Sequence, residues 1–106
     1  MENLTNSVLC AASAYEQKYY LGQKFTKLPG QIKEELQIMC VLFTEDVGGV
    51  LILSFNEAGH LELKTRHQED DLHYDEIGSV LKIKELQKNK VDLFASLERY
   101  YQAFVQ

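Results

Sequence analysis

Apolar residues recur at Ile32, Leu36, Met39, Phe43 and Val47, in steps of four, three, four and four, and Gly48-Gly49 follows at once. That spacing stacks the five side chains on one helical face, and paired glycines are a strong stop signal. Pro29, the only proline, fits the first turn, where its missing N–H costs nothing. Within this stretch, Ile38 to Phe43 is apolar at every position. Such a run reads equally as a buried strand, which would make it the first strand of a three-stranded meander. The unbroken spacing from Ile32 to Val47 favours the helix. In either form, a segment apolar all round must be covered on several sides.

The flanking chain is read around this element. Leu4, Val8, Ala12, Tyr15 and Tyr19 also recur at three or four, which predicts a first helix over 4–21. Asn3, Asn6 or Ser7 would cap it, and Gly22 would end it. Residues 22–28 connect, with Phe25 and Leu28 as core anchors. Val50 to Phe55 and Leu61 to Thr65 read as strands joined by Asn56-Glu57-Ala58-Gly59, a hairpin signal. Leu61 and Leu63 would face the core, and Glu62 and Lys64 water. Arg66 to Glu76 reads as an acidic loop. A last helix starts near Asp75 or Ser79 and runs to about Phe104, with Ile83, Leu86, Leu93, Leu97, Tyr101 and Phe104 as its stripe. Lys90 interrupts that stripe; its aliphatic stem would cover the gap while the amine reaches water. The expected class is α+β: two N-terminal helices, an antiparallel β-hairpin or three-stranded meander, and a long C-terminal helix, in a single domain over 1–106.

The 106 residues suffice for one hydrophobic core, and 45% hydrophobic with 25% charged residues is an ordinary globular balance. The net charge of −5 lowers the expectation of nucleic-acid or anionic-membrane binding, which rests on clustered Lys and Arg. Glu2 follows Met1 and no basic segment precedes an apolar stretch, so no signal peptide is expected; the longest apolar run is too short to span a bilayer. Two cysteines cannot build the dense disulfide framework of a small secreted domain. A reduced, cytoplasmic protein is expected.

Two geometric arguments predict a partner. A helix over 76–104 would be roughly 40 Å long, against a radius of gyration of about 13 Å for a domain of this size, so it overhangs or breaks near Asn89. A lone two-stranded hairpin leaves two open edges, and pairing hairpins across a two-fold axis would protect one edge per chain. A homodimer is therefore expected. The tyrosine pairs Tyr19-Tyr20 and Tyr100-Tyr101 are consistent with contact surfaces.

The chemistry-bearing residues are few. His67, Asp71, His73 and Asp75 are candidate metal ligands, since imidazole and carboxylate bind divalent metals. Their spacing matches no calcium loop, because Glu76 stands where the sharp turn needs glycine. A solvated acidic loop at a helix start is the simpler account. Cys40 sits in the apolar run and reads as an inert core thiol; Cys10 flanks the first stripe and reads as partly exposed. No nucleophile elbow, P-loop or dinucleotide fingerprint occurs among the six glycines. Gly78 lacks a turn reading and is expected to allow close packing at a helix start. Lys82, Lys84, Lys88 and Lys90 form a basic stretch diluted by Glu85, for which a solvated face is the simpler reading than nucleic-acid contact.

The stretch Ile32 to Gly49 (IKEELQIMCVLFTEDVGG), together with EDDLHYDEIGS at 69–79, resembles a domain of unknown function found in small proteins of anaerobic Firmicutes. The resemblance covers nearly the whole chain and implies a bacterial, cytoplasmic origin. It carries no activity, ligand or catalytic residue to transfer. The reading is thus a non-enzymatic interaction protein without cofactor, acting as a homodimer or adaptor. A divalent-metal or small-molecule binder using loop 67–76 is the alternative, and nucleic-acid binding through the last helix the third.

Overall fold

The computed structural model describes residues 7–106. Its elements are β1 (Val8–Ser13), β2 (Lys18–Leu21), a 3₁₀ turn at Gln23–Phe25, α1 (Gly30–Val47), β3 (Val50–Phe55), β4 (Leu61–Arg66), α2 (Glu76–Asn89) and α3 (Val91–Phe104). The strands form one antiparallel sheet in the order β2-β1-β3-β4.

The expected first helix over 4–21 is replaced by the β1–β2 hairpin; Asn3, Leu4 and Asn6 lie outside the described residues. Spacing by four is also spacing by two, so Val8 and Ala12 fit a strand face as well as a helical stripe, while the step of three to Tyr15 falls in the turn. Cys10 and Ala12 point to the core, opposite Leu21 and Tyr19 in the neighbouring strand. Pairing with β3 along the full length of β1 overrides the helical preference of Ala11 and Ala12. Gln17, in the connecting turn, has φ 52°. Gly22 stops no helix. Its N–H donates to the Leu9 carbonyl at 2.8 Å, and a Cβ there would sit 2.4 Å from the Val8 carbonyl oxygen, so glycine lets the chain cross β1 closely.

Residues 38–43 are helical, within α1. The meander alternative therefore falls. The Pro29 carbonyl accepts from the Ile32 and Lys33 amides at 3.0 Å, and Gly48, with φ 84°, donates its N–H to Thr44 at 2.9 Å to close the helix. Leu36, Met39, Cys40, Phe43 and Val47 are buried, whereas Ile38 and Leu42 remain 52% and 57% exposed. The segment that sequence required to be covered all round is thus covered on one side only.

The β3–β4 hairpin forms as expected. Asn56 Oδ1 accepts from the Ala58 and His60 amides at 3.0 Å each, and Gly59 takes φ 85°. Leu61 and Leu63 pack on the core, while Lys64 pairs with Glu62 at 3.5 Å. The hairpin is not alone, however: β1 and β2 extend it to four strands within the chain.

The long C-terminal helix is two helices, broken at Lys90 (φ −113°, ψ 25°). The break shifts the helical phase, so Phe94 joins Leu97 and Tyr101 in the core and Phe104 is left exposed. Lys90 does not end in water: its Nζ lies 2.9 Å from Glu35 Oε2 on α1. Breaking there keeps the radius of gyration at 13.5 Å.

Helices cover one face of the sheet. Cys10 meets Cys40 of α1, and Phe55 stacks on Tyr101 of α3 with ring centroids 4.1 Å apart. Phe25, from the 3₁₀ turn, packs beside that pair, 5.7 Å from Phe55 and 6.4 Å from Tyr101, and seals that end of the core. Aromatic pairs at such distances add to their area burial.

Candidate functional site

The acidic loop was the first sequence candidate. Two of its carboxylates, Asp71 and Asp75, are occupied by backbone amides and a tyrosine. Tyr15, in the β1–β2 turn, donates to Asp71 Oδ2 at 2.6 Å and accepts from the Gln68 amide at 2.9 Å. Asp71 Oδ1 accepts from the His73 amide at 3.0 Å. The Tyr15 hydroxyl beside it holds the Asp71 carboxyl below its ordinary value. In turn Tyr15 is pushed up, by desolvation first and by Asp71 second. Asp75 caps α2, accepting from Gly78 N at 2.8 Å. A Cβ on Gly78 would lie 2.2 Å from Asp75 Oδ2, which accounts for glycine there. His67 stacks on Tyr74, centroids 4.3 Å apart, with Nε2 4.0 Å from Glu76 Oε1. His67, Asp71, His73 and Asp75 are thus dispersed among separate local roles. Among the described residues, no three His, Cys, Asp or Glu side chains gather in a metal-holding group.

The loop nonetheless borders a cleft. His73 joins Gln17, Lys18 and Tyr19 of the β1–β2 hairpin and Gln37 and Thr44 of α1 around a cavity of about 630 Å³. The Tyr19 hydroxyl is buried without a hydrogen-bond partner. Burial and the neighbouring Cys10 and Cys40 push its ionisation upward, so it stays neutral.

A second depression, which sequence reasoning did not identify, runs between α1 and α2. Two ion pairs hold these helices antiparallel: Lys82 Nζ to Asp46 Oδ2 at 2.7 Å, and Lys90 Nζ to Glu35 Oε2 at 2.9 Å. Between them lies an open groove of about 390 Å³, with Ile38, Met39, Leu42, Phe43 and Leu86 on its floor and Glu34, Lys82 and Glu85 among its rim. The signal was present in the sequence as the unbroken apolar run 38–43. What it lacked was any indication that the chain itself would leave two of those residues uncovered. On the outer surface of α2, Ile77, Val80 and Leu81 are also exposed. Leu81, Glu85 and Lys88 lie on one helical row, four and three residues apart.

The basic stretch proves divided. Lys82 and Lys90 face acids of α1, leaving Lys84 and Lys88 exposed on α2. No helix among the described residues is long and apolar enough to cross a membrane.

The chain belongs to a family of unknown function (DUF6145), whose family model matches residues 6–106. No curated protein and no solved structure matches it.

Proposed function

We propose that this chain is a non-enzymatic interaction protein whose contact surface is the α1–α2 groove, and that its partner there is a second copy of itself. The observation that carries the reading is the exposure of Ile38 and Leu42 side by side on α1, at the mouth of that groove. Apolar side chains that alternate with acids and lysines in this manner suit a contact face better than a solvated one. Charge supports a second copy. Among the described residues, Glu34 and Glu85 have no ion pair, nor do Lys84 and Lys88. A two-fold arrangement lets the acids of one copy meet the lysines of the other around a shared apolar centre. The edge-pairing of hairpins no longer motivates the dimer, because β1 already pairs with the free side of β3 and β2 with that of β1, all within the chain. The setting we infer is the bacterial cytoplasm, supported by the acidic composition and two unpaired cysteines.

Sedimentation equilibrium on the purified chain tests this. A dimer at tens of micromolar, dissociated by Ile38→Glu without loss of the circular dichroism spectrum, is the expected result. A clean monomer across that range sinks the homodimer, and leaves an adaptor only if a heterologous partner is blocked by the same substitution.

A second reading is favoured by the cleft beside His73, which Tyr19 lines while its hydroxyl lies buried behind the surface without a partner. It would take a small polar molecule that reaches that hydroxyl as the β1–β2 hairpin gives way. A thermal-shift screen of small metabolites decides it: any binder should lose its effect in Tyr19→Phe, and no shift with any compound removes the reading.

A further inference from the structure

Cys10 and Cys40 are thirty residues apart in sequence, yet their Sγ atoms lie 3.7 Å apart in the core. Both side chains are fully buried and neither is bridged. Cys10 belongs to β1, which lies between β2 and β3 in the sheet; Cys40 lies in the middle of α1, the helix laid over it. We infer that Cys10 and Cys40 form a reversible dithiol–disulfide site, closed by a peroxide-class oxidant, that staples strand β1 to helix α1.

A disulfide bond is about 2.05 Å long, so closing it requires the two sulfurs to approach by roughly 1.7 Å. Rotation about the two Cα–Cβ bonds supplies motion of that size, and the contact already aims each sulfur at the other. Cys40 is held as a thiol by its hydrogen bond to Cys10 and by burial, so the closed core is unreactive at rest. Oxidation therefore proceeds through brief opening of α1 from the sheet. In that open form one thiolate attacks hydrogen peroxide, giving a sulfenic acid and hydroxide, which takes up a proton to become water. Peroxide receives the two electrons that the sulfur loses. The second thiol then attacks the sulfenic sulfur, the S–S bond forms, and a second water leaves. Core packing returns the two cysteines to contact faster than either meets another chain.

The test uses the full chain, folded, with hydrogen peroxide as the oxidant, followed by alkylation, non-reducing digestion and mass spectrometry. The expected result is an intrachain peptide joining Cys10 to Cys40, with the mass of two hydrogens lost. The melting temperature should rise by roughly 15 °C, as expected for a loop of this length in a domain of this size. Dithiothreitol should restore the starting mass and melting temperature. Cys10→Ala and Cys40→Ala should each abolish both changes, and the peptide map of the unsubstituted chain stands even if one variant fails to fold. The inference is overturned if folded protein yields both thiols free on later denaturation. It is equally overturned if the link appears only in denaturant, if the bridge joins two chains, or if the thiols run on to sulfonic acids.

Discussion

Truncating both exposed apolar residues of α1, as Ile38→Ala with Leu42→Ala, separates folding from association because only the shielded half of each side chain serves the monomer, whereas both copies would lose the exposed half from a dimer contact. Burying a whole Ile or Leu side chain contributes roughly 2 kcal/mol. About half of each side chain is already shielded by its neighbours, since Ile38 is 52% and Leu42 57% exposed. A dimer contact that covers the remainder therefore gains about 1 kcal/mol per side chain, by that scaling. Two residues on each of two copies give about 4 kcal/mol, or roughly a thousandfold in Kd at 1.4 kcal/mol per tenfold. Alanine is the better helix former, which offsets part of the loss to the monomer. Sedimentation equilibrium should show the dissociation constant weakened by that factor, while urea unfolding of the monomer shows a loss of no more than about 2 kcal/mol. A variant that still dimerises with unchanged affinity would refute the assignment of the groove. A variant that unfolds would show instead that Ile38 and Leu42 belong to the core.

Three other substitutions test the local physics. Gly22→Ala should cost about 3 kcal/mol by urea unfolding, the upper range for overpacking, because its Cβ would press on the Val8 carbonyl at 2.4 Å. Asp75→Ala should cost about 1 kcal/mol by losing the cap on Gly78, and Asp75→Asn should retain most of that stability. The Asp71–Tyr15 bond predicts an acid-side effect of definite sign. The folded carboxyl ionises below its unfolded value, so its contribution is present above the ordinary carboxylate range and is lost as pH falls through the lowered value. NMR titration should place Asp71 at a lower pKa in the unsubstituted chain than in Tyr15→Phe; equal values would show that the hydrogen bond does not form in solution.

What was legible in the sequence follows the uniqueness of each pattern. The β3–β4 hairpin was carried by alternation and a late glycine, a combination no helix produces. The stripe from Ile32 to Val47 ended on two glycines that do take positive φ, so α1 was fixed at both ends. The β1–β2 region failed because the steps of four from Val8 to Ala12 and from Tyr15 to Tyr19 satisfy both periods, and because the partner that decides between them, β3, lies about forty residues away. No local signal encodes that pairing. Lys90 was visible as an interruption, but its ion partner Glu35 was not, since α1 and α2 meet only in the fold. The acidic loop was located correctly, yet the role of Asp71 depends on Tyr15, fifty-six residues earlier.

The misread N-terminal segment also moves the functional argument. With only two strands, the chain would expose a sheet edge and seek a partner there. With four, its inner strands β1 and β3 are paired on both sides, and the sheet offers only the short β2 and the β4 edge, one end of which is already engaged: the Leu61 amide donates to Glu98 Oε2 at 2.7 Å. The unmet requirement therefore shifts from backbone pairing to apolar cover. It falls on α1, which buries one face against the sheet and turns Ile38 and Leu42 outward beside a helix joined to it by two ion pairs. Those ion pairs sit toward the two ends of the groove and tie α2 to α1 across it. In the proposed dimer, Lys82 and Lys90 would therefore shape the contact surface by fixing where α2 lies beside Ile38 and Leu42.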